Sequence, residues 1–209
     1  MQRIAVLEEE KQVYKKELEN LSEQALPDTI RLSDAIYRYI PARVVFNQIT
    51  ETDNYILLNK GRNDGVKEDM GVVSVDGIVG VVMTVSAHFS QVLPVLNSRS
   101  HPSCVIKNTK FFGSLFWDGK NPRYIHLSQL PSHTLYSIGD TIVTSGYSAT
   151  FPEGIPVGII EESLNRKSEG NNSLKIRLFT DLSTLSEVFI IPNPLREEQI
   201  NIAKGVSTK

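Results

Sequence analysis

A single cysteine, Cys104, stands in 209 residues, so no internal disulfide is possible. That suits a reducing cytosol and equally an oxidising compartment where bridges are not needed. No Cys-x-x-Cys pair and no Cys/His zinc set occurs. The four histidines, His88, His101, His126 and His133, lack the close pairing of a metal site. Neither a metal nor a cofactor is expected. No run of about eighteen apolar residues is present to span a membrane, and no signal-peptide pattern appears. An excess of one charge is missing too: 22 basic residues face 24 acidic ones, mixed along the chain. Without a basic field, nucleic acid and anionic lipid are not expected as partners.

What is present begins with a helical pattern. Ile4, Leu7, Lys11, Tyr14, Leu18, Leu21 and Ala25 alternate spacings of three and four, the a/d stripe of a coiled coil with one polar a position, Lys11. Pro27 ends it, because proline lacks the N–H and clashes with the preceding turn. In a parallel pair, Arg3 at g meets Glu8 at e of the other chain, and Glu10 meets Lys15. Both pairs have opposite sign, and a lone Lys at a favours two strands. The alternative is an amphipathic helix packed on its own domain; the narrow stripe and its polar flanks favour the coiled coil. At about 1.5 Å per residue the stripe is roughly 33 Å long, which is marginal for an isolated dimer. The pattern is in full stride at Met1, so a longer helix upstream is expected.

Beyond Arg43 the period changes to two. Strands are expected at Arg43–Asn47, Asn54–Lys60, Gly71–Val75, Ile78–Val85, Gln91–Leu96, Ser103–Lys107 and Gly113–Trp117. Five more follow at Tyr124–Leu127, Thr141–Thr144, Pro156–Ser163, Leu174–Phe179 and Glu187–Ile191. Asp76-Gly77 is a two-residue hairpin signal, and Asn63-Asp64-Gly65 marks another turn. Many short strands with regular turns predict small barrels, two of them over this length. The halves echo each other. Gly71-Val72-Val73 leads into Gly77-Ile78-Val79-Gly80-Val81-Val82, and Thr141-Ile142-Val143 leads into Gly154-Ile155-Pro156-Val157-Gly158-Ile159-Ile160. Glycines recur where a curved sheet brings backbones close.

The order of parts resembles a known family. A coiled coil followed by "YIPARVVFN", "NYILLNKGRNDGVKEDMGVVSVDGIVGVV", "FGSLFWDGK", "GDTIVTSGYSATFPEGIPVG" and "LSTLSEVFII" is similar to the extracytoplasmic part of the rod shape-determining MreC family, over about residues 1–192. The resemblance implies a mainly β fold: an N-terminal coiled-coil helix and two small β-barrels of chymotrypsin-like kind without a catalytic triad. It also implies a membrane-spanning helix ahead of the coil and an extracytoplasmic, periplasmic location. The expected organisation is a coiled coil over 1–26, a linker over 27–42, a first barrel over 43–100, a second over 101–192 and a disordered tail over 193–209. Whether the first barrel recruits 187–191 stays open.

A two-barrel body invites a protease reading. His88 or His101, then Asp118 or Asp140, then Ser145 stand in the chymotrypsin order. No glycine-rich oxyanion turn flanks Ser145, which follows Val143-Thr144, and no G-x-S-x-G elbow exists. The stretch reads better as a strand end and a long proline-punctuated corner, and no catalytic residue is expected. Aromatic residues gather around FFGSLFWDGKNPRYIHL, with Tyr147 and Phe151 in the corner. Phe116, Trp117, Tyr124, Tyr147 and Phe151 are the candidate partner surface, because aromatics dominate interface hot spots; barrel core is the alternative.

The expected function is a non-enzymatic scaffold. By resemblance its partners would be a second copy of itself through the coil, a class B penicillin-binding transpeptidase, the membrane protein MreD and, indirectly, the MreB filament. The competing readings are a cryptic two-barrel serine protease and a barrel that binds oligosaccharide or nucleic acid.

Overall fold

The computed structural model describes residues 39–49, 53–148, 150–164 and 172–192, together with Arg196, Glu198 and Ile202. The coiled-coil stripe, with its dimerisation residues, lies outside the described residues.

Twelve strands follow in order: β1 (Ile40–Gln48), β2 (Tyr55–Leu58), β3 (Gly71–Val73), β4 (Ile78–Val85), β5 (Ser90–Pro94), β6 (Ser103–Ile106), β7 (Phe112–Phe116), β8 (Tyr124–Leu130), β9 (Thr141–Thr144), β10 (Pro156–Ser163), β11 (Asn172–Leu178) and β12 (Glu187–Ile191). Each expected run forms its strand, with ends shifted by a few residues. β1 starts at Ile40, inside the segment expected to be linker, because Ile40 and Pro41 pair with Ile190 and Phe189 of β12. Pro41 is exposed and hides that start from a propensity reading. β8 runs on to Leu130 because Asn172 of β11 pairs with it.

The strands close into two six-membered barrels, β1-β12-β3-β4-β5-β2 and β10-β11-β8-β7-β6-β9. Every described pairing is antiparallel. Followed around each ring, β1 to β5 of the first barrel occupy the places of β7 to β11 in the second. The sixth place goes to β6 in the second barrel and to β12 in the first. The chain's last strand thus completes the barrel its first strand began.

The internal echo has a structural cause. Gly80 faces Val72 across β3–β4, and Gly158 faces Ile142 across β9–β10. A Cβ on Gly80 would lie 2.3 Å from Leu93 O, and one on Gly158 would lie 2.2 Å from Arg177 O. Only glycine permits that approach, so both curved strands need it at the same place. Inside, Ile56, Leu58, Val82 and Val92 fill the first barrel, and Ile125, Leu127, Ile160 and Ile176 hold the matching places in the second.

One continuous apolar core runs through both barrels, across a seam built from the β3–β4 hairpin and the corner after β9. Phe151 is 4% exposed. Its ring and the Thr150 carbonyl lie where a Cβ on Gly71 would stand, at 2.7 and 2.6 Å. Gly77, in the Asp76-Gly77 turn, has φ +151°, and a Cβ on it would lie 2.3 Å from Pro156 O. Ser74 Oγ and Thr180 Oγ1 are hydrogen-bonded to each other at 3.1 Å in buried surroundings. Asn47 Nδ2 donates to Leu182 O at 2.7 Å. In the segment expected to be a disordered tail, the described residues are helical, and Arg196 Nη2 lies 2.6 Å from Asp69 Oδ2.

Candidate protein-docking surface

The five aromatics singled out in sequence do not share one surface. Trp117 is 6% exposed. Its indole Nε1 donates to Asn121 O at 3.2 Å, so the ring is core and its polar edge is satisfied within its own hairpin. Phe151 is the seam residue described above. Neither is available to a partner, and as surface residues both are corrected.

Phe116, Tyr124 and Tyr147 do reach the surface. Period-two alternation puts Phe112, Ser114 and Phe116 on the outer side of β7, with Leu115 inward and buried. Phe116 stacks on His126 of β8, ring centroids 5.0 Å apart and planes at 23°. Tyr124, two residues before His126, is half-buried, and its hydroxyl donates to Glu161 Oε1 at 3.1 Å. Lys175 Nζ lies 4.4 Å from the centre of the Tyr124 ring, a cation–π contact. Lys175 also faces Glu162 at 3.6 Å, and Arg177 Nε lies 3.1 Å from Glu161. The face is aromatic at β7 and β8 and a ladder of opposite charges across β11 and β10.

Tyr147 extends this surface from the other end. It is 75% exposed, and its ring lies 4.5 Å from that of Phe112. Phe112 belongs to the aromatic cluster of the sequence but not to the five residues singled out from it, because Phe111-Phe112 reads as an undivided apolar pair. Only the strand's phase separates Phe111, packed against the core, from Phe112, turned out. At about 3.4 Å per residue, Phe112 and Phe116 stand roughly 14 Å apart on one strand face.

The charges at its rim are settled by local bonds. Burial pushes the Asp118 carboxyl up, but the Lys120 N–H and the neighbouring His126 and Lys120 side chains outweigh it and hold the group below its ordinary value. His126 Nε2 lies 3.4 Å from Asp118 Oδ2. Exposed rings and oriented charges are the features through which protein surfaces meet one another, by apolar contact and by charge order.

Of the residues of the protease reading, His88 is exposed and the others are engaged elsewhere. Ser145 is buried, and its hydroxyl donates to Ser103, at 3.1 Å to the carbonyl and 3.0 Å to the Oγ. His101 Nδ1 lies 3.2 Å from Leu115 O. Asp118 pairs with His126, and Asp140 accepts from Ser137 N at 2.8 Å to brace the turn before β9. Thr144 Oγ1 donates to Pro152 O at 2.6 Å and accepts from Ile155 N at 2.9 Å. Thr144 and Ser145 therefore staple the base of the corner whose Phe151 enters the seam. Among the described residues no group of three or more His, Cys, Asp or Glu could hold a metal, and no helix is long and apolar enough to cross a membrane.

Residues 44–192 match the family described as "Rod shape-determining protein MreC, barrel core". The chain is 29% identical over 196 residues to the cell shape-determining protein MreC of Listeria monocytogenes, covering 91% of this chain and 65% of that one. A solved structure of MreC from Listeria monocytogenes superposes with a TM-score of 0.69 at 26% identity, covering 92% of this chain and 91% of that one. A second solved structure, a complex between penicillin-binding protein PBP2 and MreC from Helicobacter pylori, superposes with a TM-score of 0.60 at 20% identity, covering 76% of this chain and 99% of that one. At that identity the second likeness concerns the fold.

Proposed function

The chain belongs to the rod shape-determining protein MreC family, and from that premise we propose that it is a non-enzymatic scaffold of cell-wall elongation that holds a class B penicillin-binding transpeptidase. The observation that carries the reading is the outer side of β7 and β8. Phe112, Phe116, Tyr124 and Tyr147 present aromatic area beside the Lys175–Glu162 and Arg177–Glu161 pairs. The complex of PBP2 with the Helicobacter pylori MreC, a protein of the same fold, supports the choice of partner. Rings supply the anchoring area and the charge ladder sets orientation. Chain pairing through the stripe Ile4 to Ala25 would present two such faces together. The protein would act outside the cytoplasm, tied to the membrane through a segment ahead of the stripe. MreD and, indirectly, the MreB filament complete the proposed set of partners.

The mechanism is positional. A body of two barrels joined through a close-packed seam offers a fixed surface, and a partner seated on it is constrained in place and orientation. Sedimentation velocity of this chain mixed with the purified extracytoplasmic part of a class B transpeptidase from the same bacterium tests the reading. A new, faster boundary containing both proteins is expected. Two independent boundaries at tens of micromolar of each would refute it.

A further inference from the structure

The outer face of the first barrel shows what packing alone asks of the place His126 occupies. Phe46 of β1 faces Leu57 of β2 as Phe116 of β7 faces His126 of β8. Phe46 stacks on Tyr55 with ring centroids 5.3 Å apart, and Tyr55 and Leu57 are half-buried and turned outward. A leucine therefore supports a phenylalanine at this position of the sheet. The second barrel puts a titratable ring there instead. Imidazole is the side chain whose charge changes between about pH 5 and 8.

The surroundings of His126 fit the neutral ring. Its side chain is 12% exposed and lies against the Phe116 ring. Nε2 faces Asp118 Oδ2 at 3.4 Å, and a carboxylate there calls for the ring's proton on that nitrogen. Nδ1 is buried and has no hydrogen-bond partner among the described residues. In the neutral ring it is a bare lone pair. In the imidazolium it is an N–H of a charged group without an acceptor, which costs far more in buried surroundings. The charged groups facing the ring come from three elements. The hairpin after β7 brings Asp118 and also Lys120, whose Nζ lies 3.6 Å from the same Oδ2. β11 brings Lys175, opposite His126 in register and engaged with Tyr124 and Glu162. On β8 itself the outward neighbour Tyr124 is bonded to Glu161. β7 offers the Phe116 ring and no charge. One carboxylate, shared with Lys120, thus favours the charged ring, while Lys120, Lys175 and the orphan Nδ1 oppose it. Asp118 lies below its ordinary value. It is therefore a carboxylate throughout the range in which imidazole titrates, and the ring is the group that responds.

We propose that His126 is a proton-operated support of the docking face: neutral, it holds Phe116 in place, and protonated, it turns out to water and Phe116 loses its backing. Its effect on binding rests on the reading of this face as the transpeptidase seat; the release of the ring does not. A chain placed outside the cytoplasm would then hold its partner firmly at neutral pH and weakly in acid.

Two measurements test this. In the free chain, nuclear magnetic resonance reads contacts between the His126 and Phe116 rings, with His126→Leu identifying the His126 signals. Leu57 holds the matching place in the first barrel, so that change fits the sheet. The ring contacts are expected at about pH 7.5 and should be lost at about pH 5.5, as the His126 signals shift. Contacts that persist in acid, or His126 signals that do not move between the two values, would overturn the proposal. In the complex, titration calorimetry against the extracytoplasmic part of the transpeptidase compares the same two pH values. On acidification the parent's affinity is expected to fall at least about fivefold more than that of His126→Leu, a comparison that cancels the partner's own titration. Equal falls in the two chains would overturn the proposal, as would a parent that gains affinity in acid relative to the variant. A parent that binds at neither pH refutes the seat itself, and the free chain still decides the release of the ring.

Discussion

Phe151 is the side chain whose loss the seam should feel most. Replacing it with Ala removes a ring that is 4% exposed. Phe-to-Ala changes in cores cost about 3–5 kcal/mol, more where the surroundings cannot collapse. Here they are held. Gly71 has no side chain to move in, and the base of the corner is stapled by Thr144 to Pro152 O and Ile155 N. The upper half of the range applies, about 4 kcal/mol. For a body of this size, where each kcal/mol is worth about 2–4 °C, the melting temperature should fall by roughly 10 °C. Because β12 closes the first barrel after the second is complete, the barrels should lose stability together, in one urea transition with a lower midpoint. Tyr147→Ala is the control. At 75% exposure it should change stability by no more than about 0.5 kcal/mol. A loss under about 1 kcal/mol for Phe151→Ala would refute the argument that the corner wedges the seam.

Other consequences follow from the same contacts. Gly158→Ala places a Cβ 2.2 Å from Arg177 O, a clash with backbone, and should cost at least about 2 kcal/mol. Gly139→Ala, at φ +93° with nothing within 4 Å, should cost only the left-handed strain, about 1–2 kcal/mol; equal urea midpoints for the two would contradict the close-approach account. Ser74→Ala leaves the buried Thr180 hydroxyl without its partner and should cost about 1–3 kcal/mol, whereas Ser74→Ala with Thr180→Val should recover part of it. Strict additivity in that cycle would deny the seam bond. The hydroxyl and N–H of Ser183 hold Asp181 below its ordinary 3.8, so its stabilisation is present above the unfolded value and is lost as pH falls through the folded one. The drop in urea midpoint from pH 7 to pH 3 should therefore be smaller in Asp181→Asn; an unchanged drop would remove Asp181 from the acid response.

How far the sequence foretold this depends on what each signal reports. Strand existence was legible because period-two runs and turn residues are local. Asp76-Gly77 announced its hairpin, and the repeated glycines announced a duplicated barrel before Gly80 and Gly158 explained why. Membership of a surface was not legible, because it depends on what other strands place above a side chain. Trp117 and Phe116 are adjacent and equally apolar, and only the phase of β7 sends one inward. Phe151 reads in sequence as a corner residue free to meet a partner, and only the packing of the second barrel's corner against Gly71 buries it. The face of the first barrel was hidden for the opposite reason: Tyr55-Ile56-Leu57-Leu58 reads as a fully buried strand, and half of it faces out. The recruitment of β12 has no local signature, since it depends on closing a ring across nearly the whole described chain.

The outer side of β7 and β8 is the proposed seat for a transpeptidase. Titration calorimetry of this chain against the extracytoplasmic part of that enzyme tests it most directly, with Phe116→Ser and Tyr124→Ser compared in folded variants. Saturable binding by the parent, weakened at least tenfold by the paired change, is the expected result, since loss of two hot-spot aromatics is worth about 2 kcal/mol or more. Binding of undiminished affinity in the variant would move the seat elsewhere, and no binding by the parent at tens of micromolar would contradict the scaffold itself.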